Sequence, residues 1–165
     1  MMVKAVRVML EPNNVQQTKM FQYAGAARFA YNWALAKEKD SYEKGGKFIS
    51  DSELRKEFTR LRNSAEYAWL QNVSNNVTKQ AIKDACIAYK NFFKSLQKYP
   101  RFKSKKKSTP KFYQDNIKIQ FSDTHVKFEG FSSSRKANKQ KLNWVRLAEH
   151  GRIPTDAKYM NPRIS

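Results

Sequence analysis

The sequence predicts an α+β protein in which a three-helix bundle is inserted into a β-domain. Three observations carry this: a short β-branched stretch at the start, three segments of helical periodicity behind it, and alternating stretches after Pro110. A lone first strand is unstable in water unless it pairs. The later strands are its only candidates, so the helices interrupt a β-domain that begins before them. The expected boundaries are a first strand within 1–12, a helical domain over 13–98, and a basic connector with the remaining strands over 99–165.

Residues 3–10, VKAVRVML, are rich in β-branched side chains, and Pro12 stops the ladder just after them. From Val15 onward, Met20, Tyr23, Ala24, Ala27, Tyr31, Ala34 and Leu35 recur at three- and four-residue steps until Gly45-Gly46. This predicts one long amphipathic helix. Its alanines and Gly25 permit close approach of another helix or a nucleic-acid backbone, and Arg28 lies off the apolar stripe. Ser50 and Glu53 have capping-box spacing, so a second helix starts there with Leu54, Phe58 and Leu61 on one stripe. Trp69-Leu70 reads as a hydrophobic connection. Ser74 is the expected N-cap of a third helix, in which Val77, Ala81, Ala85, Ala88, Tyr89, Phe92 and Leu96 repeat at helical spacing up to Tyr99-Pro100. Beyond Pro110, residues 117–121 and 126–128 alternate around a turn at Ser122-Asp123-Thr124, which predicts a β-hairpin. Residues 132–141, SSSRKANKQK, read as a polar basic loop, and 142–147 as another strand.

At 165 residues and 40% hydrophobic content, the chain can bury a real core. Its net charge of +19 repels itself unless a polyanion offsets it, so nucleic acid is the expected partner. No stretch approaches the ~18 apolar residues of a membrane span. The start is too short for a signal peptide, so no membrane is expected and the cytoplasm is the expected compartment. Cys86 is the one cysteine and reads as a buried structural thiol; with only His125 and His150 beside it there is no zinc ligand set. No G-x-S-x-G elbow is present either. Composition favours a binder over an enzyme.

Residues 90–111 hold nine Lys and Arg and no acid in 22 positions, and rings at Tyr99, Phe102, Phe112 and Tyr113 lie within or beside them. A solvated charge run is the plain alternative. The rings, and a second basic stretch over 135–146, favour nucleic acid. Arg28, Lys98, Arg101, Lys103, Lys105, Lys106, Lys107, Lys111, Arg135 and Lys136 are therefore the candidate phosphate contacts. Phe102, Phe112 and Tyr113 are candidate base stackers, although packing beneath the loop is the commoner role for any one ring. Flexible lysines position a phosphate but carry little base information. Asn75, Asn76, Lys79 and Gln80 cluster at the start of the third helix and are the candidates for reading DNA base edges, with helix capping as the competing role.

Three blocks together resemble a known family. They are Arg28-Phe29-Ala30-Tyr31-Asn32-Trp33, Ala88-Tyr89-Lys90-Asn91-Phe92-Phe93 and Pro100-Arg101-Phe102-Lys103-Ser104-Lys105-Lys106. With the opening KAVRVMLEPNNVQQTKMFQYAGAARFAYNWALA, they resemble the N-terminal part of the TnpB proteins. These are RNA-guided DNA endonucleases of insertion sequences, related to the type V CRISPR effectors. The resemblance implies a wedge-type β-barrel, here incomplete, interrupted by a helical recognition domain. It implies guide RNA and target DNA as partners, with Asn75, Asn76 and Lys79 at positions that read a short target-adjacent motif. It also implies a bacterial or archaeal cytoplasmic protein that joins the nucleoid when bound to DNA.

Family nucleases continue into a RuvC-type domain with metal-binding carboxylates and a four-cysteine zinc ribbon. No CxxC and no G-x-D-x-G strand occur here, so these residues are not expected to cut DNA, and Mg2+ and Zn2+ belong to the missing C-terminal part. The chain stops at 161–165 within expected barrel sequence, which makes the missing nuclease half or a second copy a further expected partner. Two other readings compete. One is a stand-alone helix-turn-helix regulator binding duplex DNA without RNA; the other is a non-catalytic basic RNA-binding protein.

Overall fold

The computed structural model describes residues 3–131 and 142–165. The order of elements is β1 (Leu10–Glu11), α1 (Asn14–Glu43), α2 (Asp51–Arg62), a 3-10 helix (Ala68–Asn72), α3 (Asn75–Phe93), β2 (Phe112–Tyr113), β3 (Gln120–Phe121), β4 (His125–Lys127), β5 (Trp144–Leu147) and β6 (Arg163–Ile164). The chain forms two compact units, one of Met1–Phe21 with Gln114–Pro162, the other of Gln22–Tyr113 with Arg163–Ser165.

The first unit is built on an antiparallel sheet of order β1-β5-β4-β3. The first strand does pair with a late one, Leu10 opposite Leu147 and Glu11 opposite Arg146. It is much shorter than predicted: residues 3–9 are not strand, and Val3, Val6 and Met9 are exposed. The hairpin forms with Phe121 opposite Val126. Residues 117–119 of the expected strand instead turn, with the Lys118 and Ile119 amides both donating to the Asp115 carbonyl. No closed barrel is present among the described residues, and the sheet that forms is open. Phe128, Phe131, Val126, Val145 and Leu147 fill the core of this unit.

The start of α1 is locked by a reciprocal cap that the periodicity does not announce. The Gln16 amide donates to Asn13 Oδ1 at 2.9 Å, and the Asn13 amide donates to Gln16 Oε1 at 3.0 Å. Gln16 Nε2 then donates to the carbonyls of Leu142 (3.1 Å) and Trp144 (2.9 Å), so one buried side chain ties the helix start to β5.

In the second unit, α1, α2 and α3 bury Tyr23, Leu35, Leu54, Phe58, Val77, Ile82 and Tyr89. The helix α1 ends at the predicted glycines: Gly45 takes φ +70°, and the Gly46 amide returns to the Ser41 carbonyl at 2.7 Å. Ser50 caps α2 as expected, accepting from the Glu53 amide at 3.3 Å. Ser74 occupies the N-cap of α3 as expected, but its side chain makes no capping bond, and its hydroxyl oxygen is buried without a hydrogen bond. The predicted helix over 74–98 stops early, at Phe93. Ser95 adopts a left-handed φ of +58°, and the Leu96 amide closes back on the Asn91 carbonyl at 2.9 Å. Leu96, read as a stripe residue, is 70% exposed. Trp69 and Leu70 sit in the 3-10 helix, Leu70 buried and Trp69 exposed.

Candidate nucleic-acid interface

The main chain of the basic segment is fastened to α1 by the Asn32 side chain. Asn32 Nδ2 donates to the Lys103 carbonyl at 2.8 Å, and the Lys103 amide donates back to Asn32 Oδ1 at 2.8 Å. Just beyond, serines at either end fold the next residues into a turn. The Lys107 amide donates to Ser104 Oγ at 3.1 Å, and the Ser104 amide donates to Ser108 Oγ at 3.2 Å. Lys105, Lys106 and Lys107 all point out of that turn as exposed residues, and Lys98, Arg101 and Lys111 are exposed as well. Such a cluster on a fixed backbone is suited to phosphate oxygens.

The interleaved rings serve mainly as seats for cations. The Lys39 ammonium lies 4.3 Å over the Phe102 ring and 4.9 Å over Tyr99. The Lys103 ammonium lies 4.1 Å over Tyr31, and desolvation lowers its pKa although the residue as a whole is exposed. Of the three candidate stacking rings, Phe102 is 52% exposed. Phe112 is buried edge-on against Tyr23, with centroids 5.5 Å apart, which leaves no face open to a base. Tyr113 is half-buried and carries the Arg163 guanidinium 5.6 Å over its ring.

The candidate base readers occupy the first turns of α3. Lys79 is exposed, whereas Asn75, Asn76 and Gln80 are half-buried. Gln80 Nε2 donates to Asp84 Oδ1 at 2.9 Å, and Asp84 in turn binds Arg163 through two contacts, of 2.7 and 3.3 Å. The carboxylate raises the Arg163 pKa. Arg28 lines an open concavity with Gln22, Gly25, Phe29, Asn32 and Trp69. Arg135 and Lys136 lie outside the described residues.

Two buried groups tune the bundle beside this surface. Glu38 is 2% exposed; burial raises its pKa to about 7, against a bond from the Ile49 amide (3.3 Å to Oε2) and the charge of Lys90. Its Oε1 has no hydrogen-bond partner. Cys86 is buried and free, with its thiol pushed up to about 12 chiefly by desolvation, which fits the structural role predicted for it and leaves little thiolate.

Residues 1–47 match the family model HTH_OrfB_IS605, described as a helix-turn-helix domain. Similarity to curated proteins extends further. InsQ of Escherichia coli (strain K12) is 28% identical over 143 residues, 87% of this chain and 36% of InsQ. A protein of Streptomyces pristinaespiralis is 30% identical over 105 residues, 64% of this chain and 26% of its own length. Both bear the name "Putative RNA-guided DNA endonuclease". The chain is thus similar to the N-terminal portion of OrfB/TnpB-type proteins. A third relative, the virulence protein VsdF of Salmonella dublin, is 27% identical over 113 residues, 63% of this chain and 95% of VsdF.

The chain thus spans about a third of InsQ and a quarter of the Streptomyces protein. Among the described residues no group of three or more His, Cys, Asp or Glu could hold a metal ion. No metal-dependent step is assigned to them. Among the described residues no helix is long and apolar enough to cross a membrane. Residues that pattern reading did not single out include Lys39, Asp84 and Arg163, together with the clamping role of Asn32. Their roles depend on contacts such as 32 to 103 and 84 to 163, which no local periodicity encodes. The retrievable signal was Asn32, inside the first of the three blocks that carry the resemblance.

Proposed function

We propose that this TnpB-type portion binds nucleic acid for an RNA-guided DNA endonuclease. It holds guide RNA through the basic segment and reads a short target-adjacent motif in duplex DNA through the start of α3. It performs no cleavage itself. The observation that carries the reading is the Asn32 clamp, which presents Lys105, Lys106 and Lys107 on a fixed turn. The names of InsQ and the Streptomyces relative support the same direction. A helix-turn-helix regulator fits less well, because the matched segment contains one uninterrupted 30-residue helix rather than two helices joined by a turn.

The deciding experiment purifies the chain from its native host through a high-salt wash and sequences the RNA that remains. The same preparation is then offered a randomised duplex DNA library. A discrete structured RNA and an enriched short DNA motif are expected. Tight duplex binding with no retained RNA would turn the assignment to the regulator.

A further inference from the structure

The concavity beside α1 shares Asn32 with the clamp, and its other lining residues have no part in the contacts just assigned. It is an open concavity of about 450 Å³, a size within the ~300–1,000 Å³ of small-ligand sites. One wall is aromatic. Trp69 stands edge-on to Phe29 with centroids 5.5 Å apart at 70°, and Phe29 is itself held between Tyr67 and Phe58. Trp69 is nonetheless 45% exposed, so a ring held in place offers surface to solvent.

The polar lining is unevenly committed. The Asn32 amide is occupied by the Lys103 main chain. Arg28, by contrast, makes no ion pair among the described residues, and its Nη2 lies 3.9 Å from the position a Cβ on Gly25 would take. Glycine keeps this patch of α1 low, with the guanidinium beside it and the exposed Gln22 amide at the rim. A fixed ring, an uncompensated planar cation and a cleft of this size, on a chain of net charge +19, match one chemistry.

We propose that the concavity takes an unpaired nucleotide, its base stacked on Trp69 and its phosphate on Arg28. Only an unpaired base has a face to give a side chain; in a duplex both faces are covered by neighbouring pairs. Arg suits the phosphate because its planar fork can bind two oxygens at once. The inference rests on the nucleic-acid reading above but assigns a different surface from the lysine turn.

The test uses the full chain with Trp33→Phe and Trp144→Phe, which leaves Trp69 as the sole indole reporter. Its fluorescence is followed while a short single-stranded RNA, the same sequence as DNA, and the corresponding duplex are added in turn. Both single strands should quench it and the duplex should not; quenching by RNA alone would identify the source. Trp69→Ala should weaken single-strand binding by roughly five- to a hundredfold, the worth of one stacked base. Trp69→Phe should retain most of it. Gly25→Leu, which fills the cleft at a position where leucine favours helix more than glycine, should weaken single strands and spare the duplex. Equal quenching by duplex, or single-strand affinity unchanged in both Trp69→Ala and Gly25→Leu, overturns the pocket. If neutralising Lys105, Lys106 and Lys107 also leaves all binding intact, the broader reading fails with it; if that change alone weakens binding, only the pocket fails.

Discussion

Asn32 and Lys103, 71 residues apart in the chain, are joined as two paired strand residues would be: the side-chain amide of one satisfies both main-chain groups of the other, each at 2.8 Å. Replacing Asn32 by Ala removes both bonds. The expected cost is about 1 kcal/mol, in line with partly solvated neutral hydrogen bonds. Amide exchange at Lys103 and its neighbours should accelerate while exchange in α2 does not. Unaltered exchange at Lys103 would show that the segment is held by other means.

The lysine turn has a different readout. Neutralising Lys105, Lys106 and Lys107 together should reduce the dependence of log affinity on log salt by about two to three, if each lysine displaces a counterion from a phosphate. A slope equal to the parent's would mark the turn as merely solvated.

Glu38 sets a pH dependence whose sign follows from its raised pKa. The folded state holds the proton up to about pH 7, whereas the ordinary value is 4.5. The folded form therefore binds more protons between those values, and stability is full below about 4.5 and falls as pH rises toward 7. At about 1.4 kcal/mol per pKa unit, the loss is at most about 3.5 kcal/mol. Glu38→Gln can still accept from Ile49 and should flatten the melting temperature over this range, raising it at neutral pH. A parent-like pH profile in the variant would remove Glu38 from the account.

Ser95 closes α3 with a backbone conformation that favours glycine. Ser95→Gly should stabilise the chain by up to about 1 kcal/mol in thermal melts. A lower melting temperature would mean that the serine side chain contributes more than its backbone conformation costs.

Asn76 and Lys79 separate sequence reading from simple attraction. Asn76→Ala should alter which duplex motif is preferred, whereas Lys79→Ala should weaken binding across motifs. Uniform loss in the Asn76 variant would remove it from base reading.

The helices were legible because each repeats an apolar stripe over two turns or more, long enough for the 3.6-residue period to show. The sheet was less so. Strands of two to four residues offer too few alternations to fix their ends, and Ile117 and Ile119 alternate in sequence while lying in a turn closed by the Asp115 carbonyl. The basic segment stood out by composition, but the work of its rings did not. A ring that seats a lysine and one that stacks a base leave the same letters, and the burial of Phe112 against Tyr23 is visible only in three dimensions.

Because Asn32 grips peptide groups and not a side chain, position 103 is held whatever residue occupies it, proline excepted. The neighbouring turn is closed by Ser104 and Ser108, again without help from a lysine. Anchoring and charge are therefore written at separate positions. Mutation can redraw the pattern of cations along this surface without rebuilding its support.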